Sequence, residues 1–146
     1  MFNRILVVCV GNICRSPMGE ALLKQMLPNK QISSAGLATE ASGLTGQPAD
    51  VTANEVAASH GVELNSHHAQ QLTAQLCQEY DLILVMEPEH INAVAKLSPD
   101  ARHKTLLFGQ WREGSISDPY LQGQEAFTHS FKAIHSAAKA WASRLS

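Results

Sequence analysis

The octapeptide Cys9-Val10-Gly11-Asn12-Ile13-Cys14-Arg15-Ser16 constrains this chain more than any other stretch, because it lies between a buried strand and a helix start. The residues before it, Ile5-Leu6-Val7-Val8, are short, largely β-branched and apolar on both faces, as a central strand of a parallel sheet requires. After it, Ser16 predicts an N-cap and Pro17 the first helical position, and Met18, Leu22 and Met26 recur on one helical face. A strand-to-helix loop of this kind aims several unpaired backbone N–H groups, and the positive end of a helix dipole, at one spot. That spot is suited to an anion.

The side chains of the loop give the spot chemistry. Cys9 ends the strand beside the N–H cluster, which favours the thiolate over the thiol and makes Cys9 a candidate nucleophile. Arg15 closes the loop, and its planar fork matches two oxygens of a tetrahedral dianion. Gly11 permits close backbone approach, Asn12 tolerates the left-handed conformation that a nest of N–H groups needs, and the Ser16 hydroxyl can donate to the thiolate. Val10, Ile13 and Cys14 complete the candidate anion cradle with their amides. A bare Cys-x5-Arg pair arises often by chance, and its bland reading is a turn with a buried cysteine. Its position at a strand-to-helix junction, with Gly, Asn and Pro where the geometry wants them, favours the anion site.

The run Val8-Cys9-Val10-Gly11-Asn12-Ile13-Cys14-Arg15-Ser16-Pro17 resembles the phosphate-binding loop of low-molecular-weight protein-tyrosine phosphatases, and the resemblance runs the length of the chain. Within that family the sequence is most similar to the bacterial members that accompany tyrosine autokinases of exopolysaccharide and capsule production. The resemblance implies one domain over residues 1–146, a phosphotyrosine protein substrate and a tyrosine autokinase as partner. It also implies that Cys14 can pair with Cys9 as a protective disulfide.

Beyond the first helix, residues 31–36 read as a second strand ending at Gly36, and the next fourteen residues, with Gly43, Gly46 and Pro48, as a loop. By resemblance this loop is one wall of the substrate cleft, and Ser34 braces the phosphate loop through Asn12. The family often places an aromatic in that wall. Residues 37–79 contain none, which leaves Leu37, Glu40 and Leu44 as candidate cleft-lining substitutes. A helix is expected over residues 49–60, with Val56 and Ala57 inward and Gly61 ending it. The sequence His67-His68-Ala69-Gln70-Gln71 resembles the family's His-x-Ala-Arg-Gln, which assigns His67 to the network holding the loop and leaves Gln70 where Arg is usual. The bland reading of the two histidines is a surface turn, and without partnered Cys or Asp they make poor metal ligands.

Residues 80–86 read as a second core strand, Pro88 opens a helix to about Leu97, and a further strand is expected near 105–108. Strands alternating with helices predict an α/β fold: a single domain with about four parallel strands, helices on both faces and a flavodoxin-like order. The resemblance implies the same phosphotyrosine protein phosphatase I-like architecture. Asp118-Pro119-Tyr120 falls in the loop after the last strand, at the sheet edge that carries Cys9. Asp-Pro alone is a common turn signal, but its match to the family's Asp-Pro-Tyr assigns Asp118 as the proton donor to the leaving group and Tyr120 to the cleft. Leu121 stands where animal members carry a second Tyr. The chain ends in a helix from about Gln124, whose Phe127, Phe131, Ile134, Ala138, Trp141 and Leu145 form a core-facing stripe.

A net charge of -2 and the lack of a Lys/Arg run argue against nucleic acid as a partner. No segment has the length of a membrane span or the pattern of a signal peptide, and three cysteines do not make a disulfide framework. A cytoplasmic location with no stable membrane association is therefore expected; the sequence does not fix the oligomeric state, and a monomer is the expectation. Arg15 and the loop amides supply the positive charge that phosphoryl transfer needs, so no metal or other cofactor is expected. Two other readings stay open at this point: a thioredoxin-coupled arsenate reductase of the same fold, and a phosphate-binding module without turnover. The first needs a further pair of close cysteines, whereas only Cys77 lies outside the loop. The second has no use for Asp118.

Overall fold

The computed structural model describes residues 2–112 and 114–146. Strand β1 (Arg4–Cys9) is followed by α1 (Arg15–Met26), β2 (Gln31–Gly36), α2 (Val51–Ser59), α3 (Ala74–Glu79), β3 (Leu82–Val85) and α4 (Pro88–Leu97). A 3-10 turn (Pro99–Lys104), β4 (Thr105–Leu107) and α5 (Gln124–Leu145) complete the chain. The four strands form one parallel sheet in the order β2-β1-β3-β4, as expected of a flavodoxin-like fold.

The period of two along the strands sorts the core into two layers. Ile5 and Val7 of β1, with Leu82 and Leu84 of β3, pack beneath α1, α2 and α5. Leu6 and Val8, with Ile83 and Val85, pack on the opposite face with Cys77 of α3 and Val94 of α4. Both faces are thus covered, which is why β3, and β1 beyond its first residue Arg4, are apolar at every position and do not alternate. The predicted stripe of α5 is buried from Phe127 to Trp141, and only its last member, Leu145, is partly exposed.

Three local expectations need correction. The helix after the loop starts at Arg15 with Cys14 as its N-cap, and Ser16 caps nothing, because its hydroxyl is taken by Cys9 and Asn12. Pro17 consequently sits at the third helical position, two later than expected, still where no intrahelical N–H is needed. The expected helix over residues 49–60 is shorter: Asp50 accepts from the amides of Thr52 and Ala53 at 2.8 and 3.2 Å, so α2 begins at Val51. The strand expected at 80–86 spans Leu82–Val85, where it is paired on both sides. Helix α3, under two turns long, has too few residues to display a period, and sequence reading passed over it.

This order places the reversal of the chain between β1 and β3, so the carboxyl ends of those strands flank a crevice. Cys9 leaves the end of β1, Glu87 follows β3, and Asp118 follows β4.

Candidate active site

Every backbone carbonyl from Cys9 to Ile13 is bound by the surrounding scaffold. Cys9 and Val10 accept from the amides of Leu37 and Ala38 at 2.9 and 2.8 Å, and Ile13 accepts from the amide of Asp50 at 2.8 Å. The Gly11 carbonyl accepts from Thr39 Oγ1 at 2.9 Å, and the Asn12 carbonyl from His67 Nε2 at 2.6 Å. In a planar trans peptide the N–H points opposite to the C=O. Binding these carbonyls from outside therefore turns the amides of residues 10–14 towards the inside of the loop. Asn12 takes the left-handed conformation expected of it, with φ of 63°, and its amide lies 3.3 Å from Cys9 Sγ.

The side chain of Asn12 holds this shape. It is fully buried, donates from Nδ2 to Ser16 Oγ at 2.7 Å and to Ser34 Oγ at 2.9 Å, and accepts the Gln70 amide at Oδ1 at 2.9 Å. Because Nδ2 donates into Ser16 Oγ, the Ser16 hydroxyl proton is free to be donated to Cys9 Sγ, 2.9 Å away. Ser34 in turn donates to Glu20 on α1. Gln70, which stands where the family usually has Arg, bonds the Ser34 carbonyl through Nε2 at 2.9 Å and so still ties this segment to β2.

Arg15 is 1% exposed. Its Nη1 donates to Glu87 Oε2 at 2.6 Å and to the Ile116 carbonyl at 2.7 Å, and its Nη2 lies 3.8 Å from Asp118 Oδ2. Asp118 is about half exposed, and its other oxygen accepts the Tyr120 amide at 3.0 Å, which fixes the carboxyl with Oδ2 on the arginine side. Sequence reading missed Glu87 and Thr39. Glu87 reads as an ordinary residue before a Pro-initiated helix, and Thr39 as one more loop hydroxyl. Beside Glu87, His90 is buried with Nε2 3.6 Å from the carboxylate and Nδ1 without a partner. Burial holds its pKa below the usual histidine value, against the pull of Glu87.

A cavity of about 260 Å³ opens on these groups, with Cys9, Arg15 and Asp118 in its lining and Ile13, Leu44 and Tyr120 among its apolar walls. Of the three residues expected to replace a wall aromatic, only Leu44 lines it, next to Ser42. Leu37 packs instead into the core layer of α3 and α4 and serves the loop through its amide, because the chain at Gly36 is still following the sheet. Glu40 is exposed in a turn, its amide bonded to Gln71 Oε1, and lies outside the cavity lining. A larger groove of about 940 Å³ runs behind the loop past Glu20, Lys24 and His67, and holds none of Cys9, Arg15 and Asp118.

Burial pushes the Cys14 thiol far up from its usual value, with Asp50 and Cys9 adding in the same direction, so Cys14 is an uncharged thiol beside the cradle. All three cysteines are free. Cys77 lies in the core layer on the other face of the sheet from Cys9 and Cys14, where burial also raises its pKa. Burial lowers the His67 pKa, with the Asn12 bond opposing. As a neutral ring His67 must carry its proton on Nε2 to make that bond.

A family model described as "Low molecular weight phosphotyrosine protein phosphatase" matches residues 4–146. The low molecular weight protein-tyrosine-phosphatase Etp of Escherichia coli strain K12 is 52% identical over 146 residues, covering 99% of this chain and 96% of its own length. The probable low molecular weight protein-tyrosine-phosphatase AmsI of Erwinia amylovora is 50% identical over 147 residues, covering 100% and 99%. Among solved structures, Vibrio vulnificus Wzb in complex with benzylphosphonate superimposes with a TM-score of 0.98 at 55% identity, covering 99% of this chain and 100% of that one.

Proposed function

The chain belongs to the low molecular weight phosphotyrosine protein phosphatase family, and from that premise we propose that Cys9, Arg15 and Asp118 carry its protein-tyrosine phosphatase activity. The observation that bears most weight is the convergence of these three side chains on one cavity whose floor is a ring of backbone amides. In the first step Cys9 Sγ forms a bond to phosphorus as the phosphorus–tyrosyl oxygen bond breaks, and the Asp118 carboxyl gives its proton to the departing oxygen. Arg15, through the N–H groups not held by Glu87 and Ile116, and the inward amides hold the nonbridging oxygens. In the second step water attacks phosphorus, the Asp118 carboxylate takes its proton, and the sulfur–phosphorus bond breaks to release inorganic phosphate. The Ser16 hydroxyl then donates to the returning thiolate.

The relay chemistry of an arsenate reductase has no support in the positions of the cysteines, since Cys77 lies in the opposite core layer. A passive phosphate module has no role for Asp118. The physiological substrate in this reading is a phosphorylated tyrosine autokinase or one of its substrates in exopolysaccharide or capsule production, supported by the resemblance to bacterial family members. The enzyme works as a cytoplasmic monomer on this reading. Among the described residues no helix is long and apolar enough to cross a membrane.

Phosphate release from a phosphotyrosine peptide tests the reading. The wild-type chain should turn the peptide over, Cys9→Ser should abolish turnover while the fold persists, and Arg15→Lys should lose nearly as much, because a point charge cannot make a two-pronged contact. Turnover by Cys9→Ser close to wild type would remove Cys9 from the reaction.

A further inference from the structure

Leu121 is the most exposed large apolar residue of the chain's described part, with 81% of its surface in solvent. Among the described residues it is also one of two non-glycine residues with a positive φ, at 62°. The other, Asn12, is of a type that tolerates this conformation, and its side chain makes three bonds that require it. Leu121 has neither excuse. It occupies the third position of a turn closed by the Gln122 amide on the Pro119 carbonyl at 2.9 Å, where a positive φ normally selects Gly or Asn. Its side chain joins neither core layer, so nothing inside the molecule repays the strained backbone.

The position supplies the reason. Tyr120 lines the catalytic cavity, and consecutive Cα atoms lie about 3.8 Å apart, so Leu121 stands on the rim one residue beyond the wall. The Asp118–Tyr120 bond and the Gln122–Pro119 bond hold that rim in a fixed shape. An apolar side chain presented there, already ordered, would be covered by whatever chain carries a phosphotyrosine into the cavity. We propose that Leu121 is a specificity-determining residue, which contacts an apolar side chain flanking the phosphotyrosine of the substrate. The inference rests on the tyrosine phosphatase reading above.

Two variants keep the turn and remove the apolar surface: Leu121→Gly and Leu121→Asn, both at ease with a positive φ. Each should unfold within a few degrees of wild type or above it. Each should also hydrolyse p-nitrophenyl phosphate, which has no flanking residues, with kcat/KM within about twofold of wild type. On a peptide with Leu on both sides of the phosphotyrosine, kcat/KM should fall about five- to tenfold, the scale of one partly buried leucine. On the matched peptide with Ser on both sides, the variants and wild type should coincide. Equal kcat/KM of the wild type on the two peptides, or an equal loss by the variants on both, overturns the assignment while the phosphatase reading stands. Absence of Cys9-dependent turnover of either peptide overturns both.

Discussion

Arg15 and Glu87 lie 72 residues apart in sequence and meet at 2.6 Å, with the guanidinium buried. Glu87 is the N-cap residue of α4, yet its carboxylate caps no amide there. Together with the Ile116 carbonyl it occupies both hydrogens of Nη1, which leaves Nε and Nη2 as the edge that can face an anion. The guanidinium is thereby turned in advance of any ligand, and its rotamer entropy is already spent.

Glu87→Gln keeps an acceptor for Nη1 and removes its charge. A charge-assisted bond contributes roughly 1.5–3 kcal/mol against about 1 kcal/mol for a neutral one, so kcat/KM should fall about tenfold with modest loss of stability. Glu87→Ala leaves a buried cation without its partner and should cost about 3 kcal/mol of stability as well. Urea unfolding and phosphotyrosine kinetics on both variants check this. Activity of Glu87→Ala equal to wild type would show that Arg15 needs no external orientation.

Gly36→Ala should be damaging although Gly36 touches no substrate. A Cβ there would overlap Thr39 Oγ1 and stand 2.7 Å from the Val10 carbonyl and 3.0 Å from the Asn12 amide. Thr39 could rotate, but it would then give up the Gly11 carbonyl, and the Val10 carbonyl is backbone held by Ala38. Overpacking of this kind costs about 1–3 kcal/mol, and here it falls on the cradle, so kcat should drop at least tenfold with the fold retained by circular dichroism. Wild-type kcat would mean that the loop tolerates displacement of its carbonyls.

The strand and helix that carry Cys9 were legible because local pattern suffices for them: four apolar residues, a loop with Gly and Asn, and helical spacing afterwards. Asp118 and Tyr120 were legible only through the family likeness, since an Asp-Pro-Tyr loop by itself reads as a turn. Glu87, Thr39 and the amides of Leu37, Ala38 and Asp50 were hidden for a physical reason. Their work is to hold groups that lie far along the chain or that are backbone, and neither leaves a mark in side-chain pattern. Ser16 misled for the opposite reason, because a good helix cap and a good thiolate donor are the same residue type, and tertiary context decides between them.

His67 carries a pH dependence of stability. Its folded pKa lies below the unfolded value of about 6.5 because burial disfavours the charged ring, so the unfolded chain binds more protons in the window beneath that value. Stability is then complete above about pH 7 and declines as pH falls through the window. His67→Gln, whose side-chain amide can still donate to the Asn12 carbonyl, should flatten the fall in melting temperature between pH 7 and 5. His90 is shifted in the same direction and should account for part of what remains. An unchanged slope in His67→Gln would assign the whole effect elsewhere.

Asp118→Asn separates an acid from a structural carboxylate, because the asparagine can still accept the Tyr120 amide and keep the rim in shape while it has no proton to give. A tyrosyl oxygen leaves as the anion of an acid with a pKa near ~10, and a positioned proton donor is worth roughly 10²–10⁴-fold for such a group. The nitrophenolate of p-nitrophenyl phosphate is a weaker base and departs more readily unaided. The loss in kcat/KM should therefore be larger on a phosphotyrosine peptide than on p-nitrophenyl phosphate, and across a series of aryl phosphates it should grow with the basicity of the leaving phenol. The comparison belongs on kcat/KM or single turnover, since hydrolysis of the cysteinyl phosphate is common to all these substrates and can hide the difference in kcat. Inorganic phosphate should inhibit the variant at least as well as wild type, because a carboxylate 3.8 Å from Arg15 Nη2 no longer competes for the guanidinium. A uniform loss across the whole series, with phosphate binding weakened in step, would mean that Asp118 positions Arg15 and that the proton comes from elsewhere.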